Sequence, residues 1–439
     1  MSGLLRVRVN ASVGGPGLDD GIKVVGNIYA TSPGGRGRRS VLFPLGASVA
    51  PAVFAVEAGS YLVETTLPSG ELLTEQVGVD DGGSASVELG AVELGAAAPH
   101  DAARAFQHVL GNILPAPAVP PAQNPTEAPG GPARHHGFPQ PAPRAEPARL
   151  VRLRTTEPGT LSYRRLNEAA GLAPAGAAAS LEAAMEPAGP PEAPVPGGEG
   201  FAAIYRFGRE PTAGGATVPA REFLLVAAAG HRTLATLPLP WRDVRGRDAE
   251  AEVVVHGDPV PATSRISVTV RDPDLATGLA YLAAGNLAKA AAVFAPVDGM
   301  LTGAAGPDAV GNPLAAAAAG YLFLGTGSPG RSADWSARLP AISRQAPLLG
   351  DPAILEAALR LREATTAREL AAAKELAKAA FHRGLPVFTP GLAWLTELLA
   401  EFPEDPECEL MLAEIRRLSW RAEMREPFVV LELGGGRRD

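Results

Sequence analysis

The chain has 439 residues, a hydrophobic share of 46% and a formal net charge of −8. This length exceeds what one hydrophobic core usually fills, so we expect two to three domains. The negative charge argues against non-specific binding to nucleic acid, which depends on neutralising phosphates. The single cysteine, Cys408, excludes an internal disulfide, and no stretch reaches the ~20 apolar residues of a membrane-spanning helix. We therefore expect a cytoplasmic protein that contacts neither membranes nor, directly, nucleic acid.

Residues 1–95 show the two-residue alternation that is typical of β-strands. Leu5, Val7 and Val9 alternate with arginines, and similar runs follow, separated by turns rich in glycine, proline and aspartate. The segment 56–63 resembles a strand of carboxypeptidase-regulatory-like and related immunoglobulin-like modules, in which a small residue, a glycine and a tyrosine lead into the strand. The pattern predicts a β-sandwich-like domain.

Residues 96–147 combine a short predicted helix at 99–112 with a proline-rich linker. The prolines and glycines of the linker can sustain neither a helix nor a β-ladder, so an extended chain is expected. Arg134, Arg144 and Arg149 lie in or beside it and are candidate protease-cleavage sites, because extended segments are accessible to proteases. The alternative is a plain spacer.

Between residues 148 and 271, apolar and polar residues again alternate with a period of two. A predicted flexible insert near 173–200, rich in alanine, proline and glycine, interrupts this pattern. Residues 223–237 predict a hairpin, and Ile266, Val268 and Val270 mark the last strand. We expect a second β-sandwich-like domain here.

From 272 to 430 the apolar residues follow a helical period, and 431–439 are expected to be a frayed tail. Five pairs of a capping residue and a proline predict helix starts: Asp272-Pro273, Asn312-Pro313, Asp351-Pro352, Thr389-Pro390 and Asp405-Pro406. The run from Leu279 to Phe294 resembles the inter-helix turn of a tetratricopeptide-type (TPR) repeat, with Gly285 at the turn. The predicted fold class is thus a multi-domain β + α chain, with two β-sandwich-like domains followed by an all-α, TPR-like helical domain.

Short motifs spread along the chain resemble an uncharacterised bacterial group encoded near caspase-like proteases. These motifs are Pro99-His100-Asp101, the run from Leu237 to Trp241, Val268 to Asp272 with Leu279 to Leu282, and Arg383 to Thr389. The resemblance implies a partner, regulator or substrate of such a protease in a stress or antiviral defence pathway, and it implies a sigma factor or effector as a further partner.

The sequence contains no constellation that predicts catalysis. No Gly-x-Ser-x-Gly elbow is present, and Cys408 is surrounded by acidic residues, which disfavour a thiolate. The seven histidines lack the spacing of a metal site. We expect no catalytic residue, no metal and no cofactor.

The features that favour function are the helical array and its aromatic residues. Stacked helix pairs form grooves that bind protein segments, and large aromatic side chains often anchor such partners. Tyr321, Trp335, Trp394 and Trp420 are the candidate protein-binding residues, with a core position as the alternative for the tryptophans. The predicted function is a non-enzymatic, protein-binding regulator or adaptor; the alternatives are a structural subunit of a larger assembly and a carbohydrate-binding accessory module.

Overall fold

The structure is a computed structural model. It describes residues 2–11, 23–31, 38–45, 49–67, 72–92, 149–172, 181, 185–187, 203–208, 220–228, 231–243, 245–255, 266–272, 274–295, 311–327 and 329–435. The helix predicted at 99–112, the proline-rich linker and most of the insert near 173–200 lie outside these residues.

The first part of the chain is β-rich, as predicted. Its strands are β1 (Ser2–Ala11), β2 (Lys23–Ala30), β3 (Arg38–Pro44), β4 (Ala52–Glu57), β5 (Gly59–Thr66), β6 (Leu72–Val79) and β7 (Ser84–Val92). They form two sheets with strand orders β4-β1-β7 and β3-β2-β5-β6. All pairs are antiparallel except β1 with β7.

Both sheets of this first region contribute to one core. Leu5, Val7 and Val9 of β1 are fully buried, as their alternation predicts, while Arg6 between them is exposed. Val63 of the other sheet belongs to the same cluster. The two-residue period therefore predicted correctly which face of β1 is buried.

The second β-rich part begins at residue 149. It contains β8 (Arg149–Thr155), α1 (Tyr163–Ala169), β9 (Glu186–Pro187), β10 (Ala203–Phe207), β11 (Arg221–Ala228), β12 (His231–Leu237), β13 (Trp241–Arg242), β14 (Asp248–Ala249), β15 (Ala251–Val255) and β16 (Ile266–Val270). β11 and β12 pair as the predicted hairpin.

The C-terminal part is helical. Its helices are α2 (Ala276–Ala283), α3 (Leu287–Phe294), α4 (Pro313–Gly325), α5 (Pro329–Gln345), α6 (Asp351–Glu363), α7 (Ala367–His382), α8 (Thr389–Ala400) and α9 (Pro406–Ser419). Gly285, between α2 and α3, has a φ of +71°, a conformation that glycine adopts without strain. Among the helices of the described residues, none is both long and apolar enough to span a bilayer.

A last strand, β17 (Val430–Gly435), returns to the second β-rich part. It pairs antiparallel with β12 at one edge of a sheet with the order β17-β12-β11-β8-β9. The remaining strands form the sheets β10-β15-β16 and β13-β14. The expectation of a frayed tail from residue 431 is wrong as far as residue 435, because Leu431 and Leu433 are buried in the core.

One core joins the second β-rich part to the helices. A single cluster of buried side chains extends from Leu153 in β8, through Val268 in β16, to Leu392 in α8 and Leu433 in β17. The change of period at residue 272 therefore marks a change of secondary structure within one packed unit.

The predicted helix caps divide into two groups. The side chains of Asn312 and Asp405 accept hydrogen bonds from the first turns of α4 and α9, as expected of N-caps. Thr389 and Asp351 are instead the first residues of their helices, and Asp272 precedes α2 by four positions. The carboxylates of Asp272 and Asp351 accept hydrogen bonds from other parts of the core: Asp272 accepts one from the Trp241 indole at 2.9 Å.

Candidate functional site

A cleft of about 290 Å³ lies between four helices of the C-terminal part. Its size lies just below the usual range for ligand pockets, and the volume would hold one or two amino-acid side chains. The lining residues come from α3, the end of α4, α6 and α8: Leu287, Gly325, Ala358, Leu361, Arg362, Trp394, Glu397, Leu398 and Glu401.

Trp394 is the largest side chain of this cleft, which we call the Trp394 cleft. It is partly buried, and the Tyr321 ring packs edge-on against it with the ring centroids 5.3 Å apart. The Arg362 guanidinium lies 5.3 Å from the centroid of the indole ring and also donates a hydrogen bond to the Leu324 carbonyl. These contacts hold the indole and one cation in fixed positions.

Carboxylates border the cleft on α8. Glu397 and Glu401 follow Trp394 by three and seven residues, so all three share one face of the helix. Both glutamates are exposed, whereas Leu398 on the same face is buried. The cleft thus combines an apolar floor with two carboxylates and one guanidinium at its border.

Gly325, the last residue of α4, determines how closely the walls approach each other. A Cβ atom at this position would lie 2.7 Å from Leu287 Cδ1 and 3.6 Å from Trp394 Cζ2. The first distance is too short for a real contact, so any larger residue here would require the Leu287 side chain to move.

A buried polar group lies behind the cleft. The Tyr321 hydroxyl donates to Asp351 Oδ1 at 3.0 Å, and the same carboxylate accepts the backbone N–H groups of Val387 at 2.9 Å and Phe388 at 3.2 Å. Burial raises the pKa of Asp351, although these three donors and Arg221 oppose the shift. Burial and the neighbouring Asp351 also raise the pKa of Tyr321 well above its ordinary value.

Arg221 connects this group to the second β-rich part. Its guanidinium donates to the Leu385 carbonyl and lies 4.9 Å from the centroid of the Phe223 ring. Burial lowers the pKa of Arg221 to about 10, a shift that Asp351 and Tyr163 oppose. The side chain remains charged at neutral pH, and it fixes the 384–388 segment against β11.

The predicted binding residues occupy three different environments. Trp394 lines the cleft. Tyr321 and Trp335 are each only 1% exposed, so neither can contact a partner directly, and the structure corrects that expectation. Tyr321 supports Trp394 from behind, and Trp335 packs on Phe323 in the core. Trp420 is 89% exposed and follows α9, outside the cleft.

The predicted cleavage sites lie in two settings. Arg134 and Arg144 are outside the described residues. Arg149 has an exposed side chain, but it is the first residue of β8 and its backbone pairs with Ala227 of β11. A protease requires an extended chain that is free to enter its active site, so the expectation of an accessible linker does not hold at Arg149.

Residues 277–430 match the family described as the Y4kD C-terminal domain. This range runs from α2 to the first residue of β17, and it includes the whole Trp394 cleft. No curated protein and no solved structure matches the chain. The match therefore concerns the helical part that carries the candidate site.

Sequence reasoning found Trp394 but missed the rest of the cleft. The helical spacing of Trp394, Glu397 and Glu401 was available as a signal, because positions i, i+3 and i+7 share one helix face. Gly325 and Arg362 could not be found in this way, since their proximity to Trp394 depends on how α4, α6 and α8 pack. Within the described part of the chain, no three His, Cys, Asp or Glu side chains lie close enough to hold a metal ion.

Proposed function

We propose that this chain is a non-enzymatic adaptor or regulator that holds a short segment of a partner protein in the Trp394 cleft. The observation that carries the proposal is the partly buried Trp394, which is held in place by Tyr321 and Arg362 and lies beside an open volume. Tryptophans in such pockets often dominate binding energy, because they offer a large apolar surface that loses little conformational freedom.

The chemistry of the cleft favours a segment with one apolar and one basic side chain. The apolar side chain would pack on the indole, Leu287 and Leu361, which line the cleft. A neighbouring lysine or arginine would pair with Glu397 or Glu401 at the border, which is exposed to water and so needs little desolvation.

The proposal includes the finer architecture predicted from the sequence. In it, the helices form a TPR-like array whose groove contains the cleft, and the two sheets of the first region form a β-sandwich-like module. Gly285 at the turn between α2 and α3 supports the TPR-like description.

The test compares Trp394→Ala with Leu370→Ala, which truncates an exposed apolar side chain of α7 outside the cleft. Each variant is used with the wild type to capture partners from the native host, and a synthetic peptide from any captured protein is then titrated. We expect Trp394→Ala to weaken peptide binding at least about tenfold, as for a hot-spot residue, while Leu370→Ala binds like the wild type. Equal affinity of all three proteins would exclude the cleft as the binding site.

We retain a protease within this proposal, as the resemblance to the group near caspase-like proteases implies. Cleavage at Arg134 or Arg144 would break the covalent connection between the first region and the unit from 149 to 435. Mass spectrometry of the chain after incubation with a protease encoded nearby would detect the two fragments, and an uncut chain would remove this part of the proposal.

A further inference from the structure

Helix α9 has one buried and one exposed face. Cys408, Met411, Ile415 and Leu418 recur at helical spacing and pack into the core. The opposite face is exposed and includes two large apolar side chains, Leu410 at 70% and Trp420 at 89% exposure. These two side chains lie in opposite halves of the same exposed face.

Ala413 is the mid-point of the exposed face, seven residues from both Pro406 and Trp420. Residues three, four and seven positions from Ala413 share its side of the helix. They form pairs at equal distances on either side: Leu410 and Arg416, Glu409 and Arg417, Pro406 and Trp420. All six are exposed, and the central Ala413 is small and partly exposed.

The two members of each pair have complementary chemistry. Glu409 is acidic and Arg417 is basic; Leu410 is apolar, and the aliphatic stem of Arg416 can cover it. Pro406 presents an apolar ring, and Trp420 presents an aromatic one. A helix whose two halves complement each other in this way fits an antiparallel copy of itself.

We propose that this face of α9 binds the same face of a second copy of the chain, antiparallel and about a two-fold axis at Ala413. In that arrangement each Glu409 lies opposite the Arg417 of the other copy, and each Trp420 lies over its Pro406. Such an interface is isologous, because every contact occurs twice. The small side chain of Ala413 lets the two helices approach where they cross.

A second copy fits this face better than an unrelated protein or a nucleic acid. An extended polyanion would meet the carboxylate of Glu409 on this face. The charges favour a second copy, because an antiparallel copy centred on Ala413 places the Arg417 guanidinium opposite the Glu409 carboxylate. Since a single pair of helices buries less than a standard interface, the dimer should be weak, with a Kd on the order of 10 µM.

Sedimentation velocity over a concentration series tests the proposal with charge reversals. Arg417→Glu and Glu409→Arg each place like charges opposite each other twice in a dimer, so each should raise the Kd at least about tenfold. A mixture of the two variants should form a heterodimer, and the double variant should dimerise again, because opposite charges then face each other. Arg368→Glu, on the exposed surface of α7, is the control and should behave like the wild type.

A cross-link locates the axis independently. The native Cys408 is fully buried, so oxidation of the wild type should give no linked dimer. Ala413→Cys should form a disulfide between two copies on mild oxidation, whereas Ala371→Cys, exposed on α7, should not. A wild type that remains monomeric throughout the concentration series, or single variants that fail to associate when mixed, would overturn the proposal.

Discussion

The first region, residues 2–92, and the unit from 149 to 435 both contain β-sheets, but their cores are built differently. In the first region the two sheets cover each other, and the only core members from elsewhere within the described residues are Ala276 and Ala280 of α2. In the second unit, sheets and helices share one continuous cluster of buried side chains. The sheets of the second unit therefore depend on the helices, and those of the first region much less so.

Polar contacts occur both within the second unit and between it and the first region. Within the second unit, Arg221 of β11 donates to Leu385, and the buried Glu426 accepts the Val268 N–H of β16. Between the two regions, Lys23 and Asp274 form an ion pair at 3.9 Å, and the buried Tyr281 donates to the Thr66 carbonyl. A change of secondary structure is thus a poor guide to domain boundaries, and shared core residues are a better one.

The largest expected effect comes from deleting β17 together with the two residues before it. A chain that ends at Pro427 lacks five buried apolar side chains, those of Phe428, Val429, Val430, Leu431 and Leu433. Each contributes about 1.5–3 kcal/mol, and the total is of the order of the whole net stability of a domain, about 5–15 kcal/mol. We expect the second unit to lose its folded state while the first region keeps its own.

Hydrogen exchange with mass spectrometry measures the protection of backbone amides in both regions of the same sample. Protection should disappear from β11, β12 and the helices but persist in β1 and β5. A chain that lacks only residues 436–439 is the control and should match the full chain. If β1 and β5 lost protection together with the helices, the two regions would form a single cooperative unit.

Most strands and helices could be predicted from the sequence because their period depends only on local residues. Leu5, Val7 and Val9 had to face one side of a strand, and Asn312 had to cap a helix, whatever surrounds them. The helix starts at Asp351 and Asp272 were predicted less well for a physical reason. A carboxylate beside a proline has the same local pattern whether it caps a helix or accepts hydrogen bonds in the core.

The position of β17 was missed for a related reason. Val429, Val430, Leu431 and Leu433 are apolar, but a short run near a glycine-rich end has no pairing partner in the local sequence. Its partner, β12, lies almost 200 residues earlier in the chain. Such pairing is determined by the packing of the whole unit, and the same holds for the approach of Gly325 to Trp394.

The next prediction concerns pH and the buried Glu426 of the second unit. Burial raises its pKa to about 8 from an ordinary value of 4.5, although hydrogen bonds from Ser267 and Val268 oppose the shift. Between these two values the folded state keeps a proton that the unfolded state has lost. The free energy of unfolding should therefore fall as the pH rises from 4.5 to 8, by up to about 1.4 kcal/mol per pH unit.

Urea unfolding of the wild type and of Glu426→Gln between pH 6.5 and 8 separates the contribution of Glu426 to the pH dependence of the free energy of unfolding. Asp272, whose pKa burial raises to about 6, has the same direction of effect but has largely titrated below this range. The variant should show a shallower fall with pH than the wild type, because its amide does not titrate. Parallel curves for the two proteins would mean that Glu426 is already ionised in the folded state.

The smallest expected effect concerns the link between the two regions. The Tyr281 hydroxyl of α2 donates to the Thr66 carbonyl at the end of β5 at 2.9 Å, and Lys289 Nζ lies 3.3 Å from the same oxygen. Tyr281→Phe removes the first contact and leaves the second, so the carbonyl keeps a donor. We expect the free energy that protects the end of β5 from exchange to fall by about 1 kcal/mol, measured as faster hydrogen exchange there. Tyr163→Phe is the matched control, since the Tyr163 hydroxyl donates to a backbone carbonyl within the second unit, that of Gly384 at 3.4 Å. If Tyr281→Phe changed exchange no more at β5 than Tyr163→Phe does, the docking of the first region would depend on the apolar contacts of Ala276 and Ala280, and the hydrogen bond would contribute little.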